Sequence, residues 1–189
     1  MKRDKVMDAT KYLLISLVVI GHFIEPTKYT DDATCLLYCL IYSFHMPLFV
    51  LISGYFYKRR TIKEEIRKCI PLVEICALSH VGFYLIRNGG SISFSDLVYF
   101  GADASWYLLS LVCWRIMTCV ASNFLSVRHL LMVSVFVDLC CFLCLRYGGF
   151  ISVGRTVFFY PFFLIGYCFK DKLMGFIRNR KIILSIWGG

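Results

Sequence analysis

Apolar residues are grouped along this chain in long runs, and short stretches that carry most of the charge separate them. A run of about 20 apolar residues is what a helix needs to cross a bilayer. Runs that approach or reach this length occupy six segments: Tyr12 to Ile24, Ala33 to Tyr57, Cys69 to Ile86, Ser105 to Leu125, His129 to Leu145 and Thr156 to Phe169. The pattern therefore predicts an all-α, polytopic transmembrane bundle of about six spans.

The two ends of the chain extend this prediction. The first run resembles a signal peptide, but no small-residue cleavage pattern follows and Glu25-Pro26 closes it, so we expect it to remain as a span. A fresh apolar run, Ile182 to Trp187, begins after a basic connection and stops at Gly188-Gly189. We interpret it as the start of a seventh span, and residues 1–189 as a single transmembrane domain that is cut short at its C-terminus.

Composition and charge agree with a membrane protein. The chain is 59% hydrophobic and 17% aromatic, with a mean hydropathy of +0.69, which is far from a soluble domain. With six crossings, sixteen of its 21 Lys and Arg residues fall on one side, whereas Lys28, Arg87, Arg146 and Arg155 fall on the other. Because basic residues concentrate in cytoplasmic segments, we expect a cytosolic N-terminus in a plasma (inner) membrane. The same bias explains the net charge of +9 without nucleic acid as a partner.

The cysteines do not indicate a metal centre. Nearly all of the ten lie inside apolar runs, where a cysteine serves as a small packing residue. The pair Cys141 and Cys144 has no His or Cys partner at metal-ligand spacing, so no metal is predicted.

Two ionisable residues on the first span form a candidate site. Lys11 and His22 are eleven positions apart, which places them on nearly the same helix face at a separation of about 16 Å. Asp8 precedes Lys11 by three positions, a spacing that allows the two side chains to pair. Ionisable residues inside a membrane indicate a functional site. The plain alternatives are that Lys11 reaches out to lipid headgroups and that His22 is an interfacial histidine.

The second span adds a third candidate, His45. Pro47 cannot donate a backbone hydrogen bond and is expected to kink this helix, which frees a carbonyl close to His45. In straight antiparallel helices His45 would lie about 13 Å deeper than His22, too far for a direct hydrogen bond. We interpret His45 as a lining residue of the cavity, with a core histidine bonded to the freed carbonyl as the alternative.

Other charged residues invite structural interpretations. Arg115 and Asp138 lie about equally far from the connection Ser126 to Arg128, so an antiparallel hairpin would place them at one depth as a buried ion pair. The charged stretch Thr61 to Lys68, with isoleucines four positions apart, predicts a helix that lies on the membrane surface, where anionic lipid is the expected partner.

Several motifs resemble the membrane acyltransferase 3 family. They are Arg3-Asp4 through His22, Phe44-His45-Met46-Pro47-Leu48-Phe49 with Ser53-Gly54-Tyr55, Trp106-Tyr107-Leu108-Leu109, and Arg155 through Gly166-Tyr167. The likeness is nearest to the fucose 4-O-acetylase and related sugar O-acetyltransferases. In that family a basic residue, ten intervening positions and a histidine mark the first helix, which Lys11 and His22 match. Because about ten helices are usual there, the chain resembles the N-terminal part.

The resemblance implies an enzyme that transfers an acetyl group from acetyl-CoA to a hydroxyl of a cell-surface or lipid-linked carbohydrate outside the cytosol. A histidine with a pKa near 6.5 is suited to take the proton of a sugar hydroxyl, so His22 is the predicted general base. Lys11, with Asp8 and His45, is predicted to bind donor or substrate. Coenzyme A is the only cofactor implied. The alternatives are a glycan transporter or flippase-like carrier, and an inactive truncated fragment.

Overall fold

The computed structural model describes residues 5–90, 105–144 and 153–170, and every regular element in those ranges is helical. This confirms the all-α prediction. One 3₁₀ turn, Glu25–Thr27, follows the first helix. The six α-helices of these described ranges are α1 (Lys5–Ile24), α2 (Asp32–Phe56), α3 (Ile62–Arg87), α4 (Trp106–Ala121), α5 (Val127–Cys144) and α6 (Val153–Cys168).

The helices belong to an integral membrane protein. Within the described ranges, three segments are long and apolar enough to cross a bilayer, namely Asp8–Thr27, Asp32–Phe56 and Ile62–Arg87, and α4 and α6 are shorter apolar helices. The count of six spans goes further than this result, and the predicted seventh at 182–187 lies outside the described residues. Many large apolar side chains point away from the protein, as lipid-facing residues do. Among them are Leu13, Val19, Phe23, Leu36 and Phe136.

Local capping explains where two of the long helices begin. Asp31 is the N-cap of α2, and its carboxylate accepts hydrogen bonds from the backbone N–H and the hydroxyl of Thr34, at 2.8 and 2.7 Å. Thr61 caps α3 in a capping box with Glu64. The charged stretch from Thr61 is therefore the first part of α3 and continues into the bundle, rather than a separate surface helix.

A close backbone contact joins α2 to α6. A Cβ atom added at Gly54 would overlap the carbonyl oxygen of Phe163, and one added at Gly166 would overlap the carbonyl oxygen of Leu51. Small residues allow helix backbones to approach in this way in membranes. The two glycines therefore fix α2 against α6, at the centre of the described bundle.

Polar side chains hold α4 against α6 from within. The hydroxyls of Ser110 and Thr156 are 2.6 Å apart, the Trp114 indole donates to the Thr156 carbonyl at 2.7 Å, and Thr118 meets Tyr160 at 3.1 Å. Interhelical hydrogen bonds of this kind stabilise helix pairs in a membrane. The surrounding apolar core contains Val50, Tyr57, Trp114, Leu130, Tyr160, Phe163 and Leu164.

The helix that carries Lys11 and His22 lies at the edge of this arrangement. Its main packing partner is α2. Leu14 is its buried apolar anchor, and Gly21 brings its backbone close to the ring of Tyr42. The other main contacts pair α3 with α4, α4 with α6, and α5 with α6. One face of α1 thus meets α2, and Lys11 and His22 can reach the spaces on either side of that contact.

Candidate active site: two cavities along one helix

Lys11 and His22 line two different cavities at opposite ends of the bundle. The first, here the Lys11 cavity, has a volume of about 420 Å³. The second, the His22 cavity, has a volume of about 570 Å³. The Lys11 cavity is lined by Lys11, Ile15, Phe49, Ile52, Ser53, Phe56, Tyr57, Arg60, Lys68, Leu111 and Arg115. The His22 cavity is lined by His22, Glu25, Tyr38, Tyr42, His45, Met46, Phe83, Trp106, Arg155 and Phe159.

Cations from four parts of the chain surround the Lys11 cavity. The Lys11 ammonium lies 3.5 Å from the centroid of the Phe56 ring, a cation–π contact that holds this long side chain in place. Lys68 comes from α3, Arg115 from α4, and Arg60 from the connection before α3. The apolar remainder of the lining comes mostly from α1 and α2. The cavity is therefore suited to a ligand with an anionic end and an apolar or neutral end.

A buried carboxylate organises part of this charge. Glu65 is 1% exposed, and its carboxylate accepts a hydrogen bond from Arg115 at 2.6 Å and lies 3.5 Å from Arg60. The ionic partner that the structure gives Arg115 is thus Glu65, where the sequence predicted Asp138. The physical reason is helix adjacency, because the main contacts of α4 are with α3 and α6 rather than with α5, which carries Asp138.

The His22 imidazole is held by a carboxylate in its own turn. Its Nδ1 lies 3.3 Å from Glu25 Oε2. The other carboxylate oxygen of Glu25 accepts from the Tyr38 hydroxyl at 3.4 Å and lies 3.6 Å from the Lys28 ammonium. Because a carboxylate only accepts, Nδ1 carries the hydrogen and Nε2 is the basic atom of the neutral ring. This arrangement is typical of a histidine general base whose ring is oriented by a carboxylate.

His45 lines the same cavity, as the sequence reasoning favoured. It is buried, and its Nδ1–H donates to the carbonyl of Ile41 at 2.6 Å. The carbonyl that Pro47 would leave without a helical partner is that of Ser43, so the alternative of a bond to the freed carbonyl does not describe this contact. The hydrogen bond again leaves Nε2 as the acceptor nitrogen. His45 also packs edge-on against Tyr42, with ring centroids 4.7 Å apart.

Aromatic rings form the opposite wall of the His22 cavity. Trp106 stacks on Phe159 at a centroid distance of 5.7 Å, and the guanidinium of Arg155 lies 5.3 Å from the Trp106 centroid. Flat aromatic faces and a fixed guanidinium are suited to a ring-shaped polar ligand. Sequence reasoning quoted Trp106 and Arg155 as parts of family motifs and counted Arg155 among the basic residues on the outer side. It missed Glu25 and Tyr38, for which the proximity of Glu25 to His22 was the available signal.

Comparison with known proteins adds the family. The sequence matches the family model of the acyltransferase domain, acyltransferase 3, over residues 4–188. The chain belongs to this acyltransferase family. The family prediction from the sequence is thereby confirmed, and the two cavities are those of an acyltransferase-family chain. No solved structure matches it.

Two relatives of this acyltransferase-family chain carry one name. Nodulation protein NolL of Sinorhizobium fredii (strain NBRC 101917 / NGR234) is 26% identical in an alignment 207 residues long, which covers 98% of the chain and 55% of that protein. Nodulation protein NolL of Mesorhizobium japonicum (strain LMG 29417 / CECT 9101 / MAFF 303099) is 48% identical over 56 residues, 28% of the chain and 15% of that protein. The chain thus spans about half the length of the first relative, and less of the second.

The structure distributes the predicted site residues between the two ends of the bundle. His22 and His45 share one cavity, Lys11 and Arg115 line the other, and Asp8 lies on α1 outside both linings. Lys11 and His22, which the sequence placed on nearly one face of the first helix, therefore line different cavities. Lys11 lines the cavity at one end of the bundle, and His22 lines the cavity at the other end.

Proposed function

We propose that this chain forms the transfer site of a membrane O-acyltransferase that moves an acetyl group from acetyl-CoA to a hydroxyl of a cell-surface or lipid-linked carbohydrate. The observation that carries the proposal is the division of labour along α1. One end of the helix presents Lys11 to a cavity with a cationic mouth, and the other presents the His22 imidazole, held by a carboxylate, to a cavity with aromatic walls. Family membership supplies the reaction class.

His22 acts as the general base. A sugar hydroxyl is a poor nucleophile at neutral pH, and removal of its proton during attack accelerates such reactions about 10²–10⁴-fold. His22 Nε2 takes the proton as the hydroxyl oxygen bonds to the thioester carbon. The carbon–sulfur bond then breaks, and the leaving thiolate of coenzyme A takes up the proton that the His22 imidazolium holds, which restores the neutral imidazole. Glu25, which accepts from Nδ1–H, holds the ring and stabilises the imidazolium that forms.

The Lys11 cavity binds the donor. Coenzyme A ends in phosphate groups, and four cationic side chains with one carboxylate leave this cavity with an excess of positive charge. Arg60 and Arg115 can present paired N–H groups to phosphate oxygens, while Lys11 and Lys68 act as point charges. The apolar residues deeper in the cavity, such as Ile52 and Leu111, suit the neutral pantetheine arm.

The His22 cavity binds the acceptor. Stacked Trp106 and Phe159, with the tyrosines beside Glu25, suit the apolar face and the hydroxyls of a sugar ring. The distribution of basic residues supports a cytosolic N-terminus, with the Lys11 cavity open to the cytosol of a plasma membrane and the His22 cavity open to the other side. On this arrangement donor and acceptor approach from opposite faces of the membrane.

A transfer assay with matched variants tests the proposal. Membranes that contain the chain are incubated with acetyl-CoA labelled in the acetyl group, and label in envelope glycan is measured. His22→Ala should abolish transfer at equal expression. His129→Ala should retain it, because His129 is exposed at the start of α5 and lies outside the linings of both cavities. Glu25→Gln should lower kcat and leave the KM for acetyl-CoA unchanged.

Transfer that survives in His22→Ala would remove this residue from the mechanism. Absence of transfer by the parent chain would contradict the proposal for this chain by itself. A glycan carrier is the second candidate, because two cavities at opposite ends of a bundle also suit a protein that moves a ligand across the membrane. Vesicles that accumulate glycan without an acetyl donor, and without acetylation, would favour the carrier.

A further inference from the structure

The linings of the two cavities approach each other along α2 and α4. On α2, Met46 lines the His22 cavity, whereas Phe49, about one turn further, lines the Lys11 cavity. On α4, Trp106 lines the His22 cavity and Leu111 lines the Lys11 cavity. Tyr107 lies between these levels and belongs to neither lining. The two spaces therefore approach each other at Tyr107.

Two contacts with α2 hold the Tyr107 ring in this position. It packs edge-on against Phe49 at a centroid distance of 5.0 Å, and its hydroxyl lies 2.6 Å from Ser53 Oγ. Ser53 donates its own hydrogen to the Phe49 carbonyl at 2.9 Å. Because a hydroxyl has one hydrogen, Tyr107 is the donor to Ser53. The ring is thus fastened at its hydroxyl end to α2.

We propose that Tyr107 is the residue that closes the passage between the Lys11 cavity and the His22 cavity, and so determines what crosses from one to the other. Rotation of this side chain, with loss of its hydrogen bond and of its ring contacts with Phe49, Trp106 and Trp114, would join the two spaces. What crosses rests on the proposed function, in which the acetyl thioester must meet the acceptor hydroxyl. The barrier itself does not depend on that function.

Accessibility to a thiol reagent tests the barrier without any acyl transfer. Met46→Cys places a reporter in the His22 cavity, and Leu111→Cys places one in the Lys11 cavity. Each is treated with a membrane-impermeant maleimide from either face of sealed vesicles, and mass spectrometry of the labelled peptide separates the reporter from the ten native cysteines. With Tyr107 intact, we expect each reporter to react from one face, and the two reporters from opposite faces.

Removal of the ring should abolish this sidedness. In Tyr107→Ala both reporters should react from both faces. Tyr107→Phe loses only the hydrogen bond to Ser53, so its labelling from the second face should be slower than that of Tyr107→Ala. Phe136→Ala is the matched control, because Phe136 is an exposed aromatic residue on α5. It should leave the sidedness unchanged.

Three results would overturn the inference: retained sidedness in Tyr107→Ala, labelling of the parent reporters from both faces, or labelling of both from the same face. If Tyr107→Ala does not fold, Phe49→Ala removes the other ring of the barrier and carries the same expectation. A chain with sided labelling and no acetyl transfer would refute the proposed function and leave the barrier intact. Acetyl transfer by a chain whose labelling is not sided would refute the barrier and leave the proposed function intact.

Discussion

The two cavities share helices but differ in what holds them together. Ion pairs and cations shape the Lys11 cavity, where buried Glu65 ties Arg115 and Arg60. Hydrogen-bonded histidines and stacked rings shape the His22 cavity. Charge acts over several ångströms and tolerates loose geometry, whereas proton transfer requires contact at one atom. The difference suggests that one end selects a ligand by charge and the other positions a reacting group.

Disruption of the contact between α2 and α6 should destroy both cavities together, and we expect the largest effect of all from such a substitution. In Gly54→Ala the new methyl group would overlap the Phe163 carbonyl, a backbone atom that cannot turn aside. We expect loss of folded protein, measured by size-exclusion chromatography of the detergent-solubilised chain. Gly82→Ala is the control, since nothing lies within 4 Å of a Cβ at that position. Equal recovery of the two variants would contradict this account of the contact.

The next effect should be confined to the Lys11 end. Arg115→Met leaves the buried Glu65 carboxylate with Arg60 alone, and we expect a loss of about 3 kcal/mol in the free energy of unfolding. The double variant Glu65→Leu/Arg115→Met should recover most of it, because no buried charge then lacks its partner. Thermal unfolding in detergent measures both. If the double variant is no more stable than Arg115→Met, the unpaired Glu65 carboxylate is not the cause of the lost stability.

Kinetic parameters should separate the two ends. Lys11→Met should raise the KM for acetyl-CoA about tenfold or more with little change in kcat, because a hydrogen bond to a charged group contributes about 1.5–3 kcal/mol. Lys63→Met, an exposed lysine on α3 outside both linings, should change neither parameter. A fall in kcat at constant KM would instead place Lys11 in the chemical step and erase the contrast with His22.

The smallest effect should appear at the start of α2, beside the His22 cavity. The hydrogen bonds from Thr34 hold the pKa of Asp31 below its ordinary value of 3.8. A carboxyl with a lowered pKa stabilises the fold above its ordinary value, and that stabilisation disappears as the pH falls through the lower, folded value. Asp31→Ala should therefore lower Tm slightly at pH 7, and the difference should shrink in acid.

Asp32→Ala offers the comparison for this measurement, since Asp32 is the first residue of α2 and not its cap. We expect its Tm to differ less from the parent at pH 7 than that of Asp31→Ala. A difference at Asp31 that is constant from pH 7 to pH 3 would show that the carboxylate does not act through its charge.

Sequence spacing predicted which residues share a helix, but it could not predict which helices are neighbours. Lys11 and His22 lie on one helix as expected, and the beginning and end of α2 lie within one residue of the predicted run. The sequence predicted a buried ion pair for Arg115, and Arg115 does pair with a buried carboxylate. That carboxylate is Glu65 of α3 rather than a residue of α5, because which helices are neighbours depends on the whole bundle.

The division into two cavities was also beyond the sequence. A shared stripe on α1 suggested one continuous site, because nothing in the spacing of Lys11 and His22 reveals what fills the space between them. Tyr107 was visible in the sequence as part of an aromatic motif. Its place between the cavities depends on the hydrogen bond to Ser53, which is 54 positions away along the chain.

The paired glycines of α2 and α6 also limit how this protein can change over generations. Each of them faces a carbonyl oxygen of the opposite helix, so a substitution at either position requires a backbone to move. Chimeras that exchange α2 alone with a relative should fail more often than those that exchange α2 and α6 together. We therefore expect Gly54 and Gly166, more than 100 positions apart in the sequence, to constrain each other's helices as one unit.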